Sequence, residues 1–193
     1  MGSYIHYTLR DDFDIEKRIE TASKMFGALR ECIFSKMQVS YQAKRTAYVS
    51  IVLPTLLYGA ETWAISSGSL RKLQSFHNRC VRSMCHVNLW KTREFHLKTE
   101  TLLNRLGMRS LNFYLHRRII KWVGHVARMP LDRLPRKFLT AWVRGPRDKK
   151  QPKLHYGTHI TTCLKKIGVF DGWYTRAQDR KGWRAVVKGI IEL

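Results

Sequence analysis

Apolar residues recur at three- and four-residue steps along most of the chain, and that spacing predicts helices. Ile15, Ile19, Ala22, Phe26, Leu29 and Ile33 form one stripe, which predicts a first helix with Asp14 as its N-terminal cap and Glu16 in its first turn. A second helical stretch is expected over about 40–64, kinked at Pro54. Ser66-Ser67-Gly68-Ser69 reads as a turn. A third helix follows over about 70–87, with Leu70, Leu73, Phe76, Cys80, Val81, Met84 and Val87 on its apolar side. Thr99 to Gly107 predicts a short helix stopped by its glycine. Leu111, Leu115, Ile119, Trp122, Val123 and Val126 predict a longer one over about 110–129, ended by Pro130. Two more helices are expected over 158–167 and 174–191. Only at the start does the period change: Ile5, Tyr7 and Leu9 alternate with His6 and Thr8, which predicts a short strand.

The expected fold is therefore all-α, a helical bundle followed by a second helical region, with one N-terminal strand. Weak boundaries fall near 88–92 and in the basic loop 144–157. The 193 residues suffice for one large domain or two small ones. The most apolar stretch, 47–60, is broken by Ser50, Pro54 and Thr55 and falls short of the roughly 20 apolar residues that span a bilayer. The first residues do not read as a signal peptide, and the expected location is nucleus or cytoplasm. Four cysteines in a chain this long do not make a disulfide scaffold.

Charge adds what periodicity cannot. The formal net charge is +22, and it is unevenly placed. Residues 1–40 carry six basic and six acidic side chains, so the whole excess lies beyond them. No Asp or Glu occurs between Thr101 and Leu131, a stretch with Arg105, Arg109, Arg117, Arg118, Lys121 and Arg128. Such a field attracts polyanions: nucleic acid, anionic lipid or an acidic protein.

Helical geometry turns this excess into faces. At 100° per residue, Arg71, Lys72, Ser75, Asn78, Arg79, Arg82 and His86 fall opposite the apolar side of the third helix. Arg117, Lys121, His125 and Arg128 form a stripe on the later helix, with Arg118 and Tyr114 beside it. A merely solvated face mixes both signs; these are nearly pure positive. Arg suits bidentate phosphate contacts and Tyr114 suits stacking on a base. Arg144, Arg147, Lys149 and Lys150 in the basic loop are expected to add phosphate contacts.

Catalytic and metal chemistry find little support. His77, Cys80, Cys85 and His86 lie close in sequence, but a single helix turns His86 away from His77 and Cys80, so no metal site is expected. Asp11, Asp12 and Asp14 read as helix-start residues. There is no glycine-rich phosphate loop and no nucleophile motif, so neither an enzyme nor a cofactor is expected.

Six strings then carry a resemblance. Leu56-Leu57-Tyr58-Gly59-Ala60-Glu61-Thr62-Trp63 resembles the "LLYGxETW" segment of non-LTR (LINE-like) retrotransposon endonuclease–reverse transcriptases. Phe76-His77-Asn78-Arg79-Cys80-Val81-Arg82 resembles their "FHxRCLR", and Arg117-Arg118 with Trp122 to Met129 resembles "RRLxWxGHVxRM". Arg133-Leu134-Pro135-Arg136 is similar to "RLPK", and Ala177-Gln178-Asp179-Arg180 with Trp183-Arg184 to "AxDRxxWR". Met1 to Ile5 resembles the primer-grip segment "YLGSxI" without its tyrosine. The strings occur in the family's order. The chain departs from the family at Lys150, where a second glycine is usual, and it has neither the palm's Ala-Asp-Asp motif nor the endonuclease domain.

The resemblance implies a primer-grip strand over 1–9, a thumb-like bundle over 10–88 and a basic C-terminal region over 89–193. It implies binding to RNA, an RNA–DNA hybrid or DNA, with no membrane partner and no polymerase activity, the parent family being RNA-directed DNA polymerases. The missing palm, or self-association through apolar surface it once covered, is a further expected contact. The alternative is a helical protein-interaction module, or a decayed retroelement fragment without selected function.

Overall fold

The computed structural model describes residues 2–4, 11–140 and 156–190, and every regular element among them is helical. Ile5 to Leu9, on which the expected strand rests, lie outside the described residues. So do Arg144, Arg147, Lys149 and Lys150. No described helix is long and apolar enough to cross a membrane. The chain divides into two compact units: Met1–Gly59 with Ile65–Leu111, and Ala60–Ala64 with Asn112–Leu193.

In the first unit, α1 (Asp12–Leu29) runs into a π-helical turn, Arg30–Phe34. The cap residue is Asp11, not Asp14. Asp14 is buried one turn inside, where it accepts from the Tyr4 amide at 3.0 Å and pairs with buried Arg18 at 3.4 Å. Next, α2 (Tyr41–Ala47), a π-turn (Tyr48–Val52) and α3 (Leu53–Leu56) form one continuous helix. It is shorter than the expected 40–64. The π-turn makes the Leu53 amide reach back five residues to Tyr48, just before Pro54, which has no amide to donate. Gly59, at a φ of 76°, then turns the chain away.

The remaining helices of this unit are α4 (Ser67–Met84), α5 (Leu89–Glu94) and α6 (Thr99–Leu106). α5 has no counterpart in the sequence expectation. α1 packs on α3 and α4, and α6 packs on α2 and α4. Ile15, Ala22, Phe34, Tyr48, Val52, Leu56, Leu73, Val81, Met84 and Leu102 fill the core. Each of the Val, Leu, Ile, Phe and Met side chains among them contributes about 1.5–3 kcal/mol on leaving water. Phe26 stacks on Phe34 with ring centroids 4.5 Å apart.

The second unit holds a 3-10 turn (Ala60–Thr62), α7 (Leu111–Ala127), α8 (Leu134–Thr140), α9 (Tyr156–Lys166), α10 (Trp173–Gln178) and α11 (Arg180–Lys188). The single last helix expected over 174–191 is two. Asp179 is extended and caps α11, its carboxylate accepting from the amides of Lys181 and Gly182 at 2.9 and 3.0 Å. Ile119, Ile120, Val123, Val126, Ile160, Leu164, Ala177 and Trp183 are buried here.

Candidate nucleic-acid interface

α4 begins where Ser66 caps it, accepting from the Ser69 amide at 3.1 Å. The Ser69 hydroxyl donates to Asp12, tying the start of α4 to α1. From there the helix sorts its two faces as the spacing predicts. Leu73, Phe76, Cys80, Val81 and Met84 are buried, while Leu70 and Val87 are only half-buried.

On the other face, Arg71, Lys72, Ser75, Arg79 and Arg82 line a groove of about 600 Å³ that reaches the edge of buried Phe76, with Glu16 and Ile19 of α1 also lining it. Lys72 pairs with Glu16, which holds its ammonium above the ordinary lysine range. The Arg79 guanidinium sits 5.4 Å from the centroid of the Phe76 ring. Half-buried Arg82 has its pKa lowered, first by burial and then by repulsion from Arg79. It remains charged, and among the described residues lining this groove only Glu16 offsets the four cations. A groove with that balance has room and charge for a chain of phosphates.

The α7 cations are of two kinds. Arg117 and Lys121 are exposed, Arg117 lying 5.9 Å from the Phe113 ring centroid. Arg118 instead donates to the Glu61 carboxylate at 2.9 Å. Tyr156 donates to the Glu61 backbone carbonyl at 2.7 Å, so Glu61 joins the 3-10 turn to α7 and α9. Arg128 is half-buried and donates to the Ala177 carbonyl at 2.6 Å. Tyr114 is half-buried with its ring edge-on to Phe113. The sequence stripe thus separates into exposed cations and cations occupied within the fold.

The His/Cys cluster does not converge, and no group of three or more metal-binding side chains occurs among the described residues. His77 is fully buried, 2.9 Å from the Tyr48 hydroxyl through Nδ1, and burial lowers its pKa to about 4. Cys80 is buried, and burial pushes its thiol up to about 12, which keeps it protonated. His86 ends α4 in the left-handed conformation, φ 57°.

Sequence reasoning passed over Lys44, which is 1% exposed. Its ammonium lies 2.8 Å from His86 Nε2 and 3.4 Å from the Met84 carbonyl at the C-terminal end of α4, where a cation is favoured. The signal was present: Lys44, Tyr48 and Val52 share one face at four-residue steps.

Over 147 residues, 72% of its length, the chain is 29% identical to an uncharacterized transposon-derived protein of Caenorhabditis elegans. The chain spans about half the length of that relative, 52%. No family model matches, and no solved structure matches.

Proposed function

We infer that the chain is a nucleic-acid-binding portion of a retroelement protein, resembling the thumb and C-terminal region of a non-LTR reverse transcriptase. The α4 groove is its principal contact surface. The observation that carries this reading is the charge balance of the groove: among its described lining residues, Arg71, Lys72, Arg79 and Arg82 stand beside one carboxylate, Glu16. Phosphates are the partner such an excess is built to meet, through contacts that position the ligand without reading its sequence. The transposon-derived relative supports the retroelement origin. Arg117 and Lys121 add a second set of exposed cations, joined in this proposal by Arg144, Arg147, Lys149 and Lys150. Arg118 and Arg128 serve mainly to hold the second unit together. The proposed ligand is an RNA–DNA hybrid or structured RNA.

Fluorescence anisotropy of a labelled RNA–DNA primer–template tests this reading, with single-stranded RNA, duplex DNA and heparin as competitors. Retention of the hybrid against heparin is expected, as is no extension of the primer. Displacement by heparin without discrimination would leave only unspecific charge. A second reading, a protein-interaction module, has its own support in the exposed apolar residues Leu131, Leu134 and Phe138 on and beside α8. Concentration-dependent self-association in sedimentation, with no binding to the hybrid, would favour it.

A further inference from the structure

α5 departs from the rule that a short helix in a folded protein is held by its apolar side. None of its residues is buried. Leu89, Trp90 and the adjoining Phe95 are 56%, 62% and 62% exposed. Caps set this helix instead. The Asn88 side chain accepts from the Lys91 amide at 2.8 Å, and His96, at a φ of 46°, closes the other end with Leu97 bonding back to Thr92. Two large aromatic rings are thus displayed on a locally fixed element without contributing to a core.

Their arrangement says what they fit. At 100° per residue, Trp90 and Arg93 lie 60° apart, one turn apart along the axis. Lys91 and Phe95 lie 40° apart, again one turn apart. Each ring therefore has its own cation at about 5 Å along the helix. The two pairs point in different directions around the helix, about 140° between the rings. An interfacial membrane helix, or one lying in a protein groove, gathers its apolar residues on one stripe; this one does not. Between 88 and 98 the charged residues are Lys91, Arg93, Lys98 and one acid, Glu94. A base stacked on a ring, with its phosphate on the neighbouring cation, satisfies both halves of each pair, and only unpaired bases have free faces to offer.

We propose that α5 is a binding platform for single-stranded nucleic acid, with Trp90 and Phe95 as stacking surfaces and Arg93 and Lys91 as their phosphate partners. The platform is separate from the α4 groove and takes a different form of ligand. It therefore stands or falls on its own measurement.

That measurement uses the full chain, a labelled single-stranded oligodeoxythymidylate and a blunt duplex of equal length. Trp90→Ala is expected to weaken single-strand binding about ten-fold and to leave duplex binding unchanged. Trp90→Phe, which keeps a stacking face, is expected to restore most of the loss. Because no side chain of α5 is buried, these variants should keep the wild-type circular dichroism and melting temperature. Equal weakening of both ligands, or no change in either, would overturn the proposal. So would Trp90-dependent binding to phosphatidylserine vesicles without an effect on the single strand.

Discussion

Trp183 closes directly over Gly124: a Cβ placed on that glycine would lie 1.9 Å from the indole Nε1. The same Nε1 donates to the Ile120 carbonyl at 3.0 Å, and the ring is buried. One turn along, Arg128 donates to the Ala177 carbonyl and Gln178 to the Ala127 carbonyl. Two of the sequence strings, Trp122 to Met129 and Ala177 to Arg184, are thus one packing unit joining α7, α10 and α11.

Gly124→Ala is accordingly expected to destabilise the second unit by about 1–3 kcal/mol, at the upper end because a rigid indole is the neighbour that must move. Urea unfolding measures it. In a Trp183→Phe background the penalty of Gly124→Ala should shrink, giving a clear coupling between the two positions. Additive losses would mean that the contact does not govern this packing.

Much of this was legible beforehand. The faces of α4 follow from spacing, because its buried residues recur at three- and four-residue steps, but its start does not: Ser67, Gly68 and Ser69, expected in a turn, are its first residues behind the Ser66 cap. The α6 stop at Gly107 followed from glycine's tolerance of φ 62°. What failed to show were relationships across the sequence. Arg118 looks like any surface arginine until Glu61, 57 positions away, is placed against it. The length of the second helix is not legible in the sequence, because hydropathy does not see a π-turn or the φ of Gly59. α5 is not legible in the sequence, because a helix with no buried side chain leaves no apolar period.

Acid should destabilise the first unit through His77. Its folded pKa, about 4, lies below the ordinary 6.5, so the unfolded chain binds the proton more readily. Stability is full above about pH 6.5 and is lost progressively as pH falls toward 4, by about 3 kcal/mol from this residue. His116, also lowered to about 4 by burial, then by Lys166 and His159, acts in the same direction in the second unit. His77→Asn is expected to flatten the dependence of melting temperature on pH between 6.5 and 4.5. An unchanged profile would contradict the assignment.

The two kinds of α7 cation should separate experimentally. Arg118→Ala is expected to lower stability by about 1 kcal/mol, the order of a partly exposed ion pair, and to leave the salt dependence of nucleic-acid binding alone. Arg117→Ala with Lys121→Ala should do the reverse. A salt effect from Arg118→Ala equal to that of the pair would show that its bond to Glu61 opens to admit ligand.

Thiol reactivity checks the burial pattern cheaply. Of the four cysteines, Cys32 is exposed and Cys80, Cys85 and Cys163 are buried. Burial raises the Cys80 thiol to about 12 and Cys163 to about 11. One thiol should react rapidly with an aromatic disulfide reagent in the native protein, and four after unfolding. Cys32→Ser should remove the fast phase; a second fast thiol would place one of the buried three at the surface.

The most direct test of the account is the salt dependence of binding to an RNA–DNA hybrid. It compares the wild-type chain with Arg79→Ala/Arg82→Ala between 50 and 250 mM salt. If the α4 groove meets phosphates, losing these two cations should weaken binding and reduce the slope of log Kobs against log[salt] by about 1.5. Folding, followed by circular dichroism, should be unchanged. A slope and affinity identical to wild type would contradict the central claim and leave the α4 face a solvated surface.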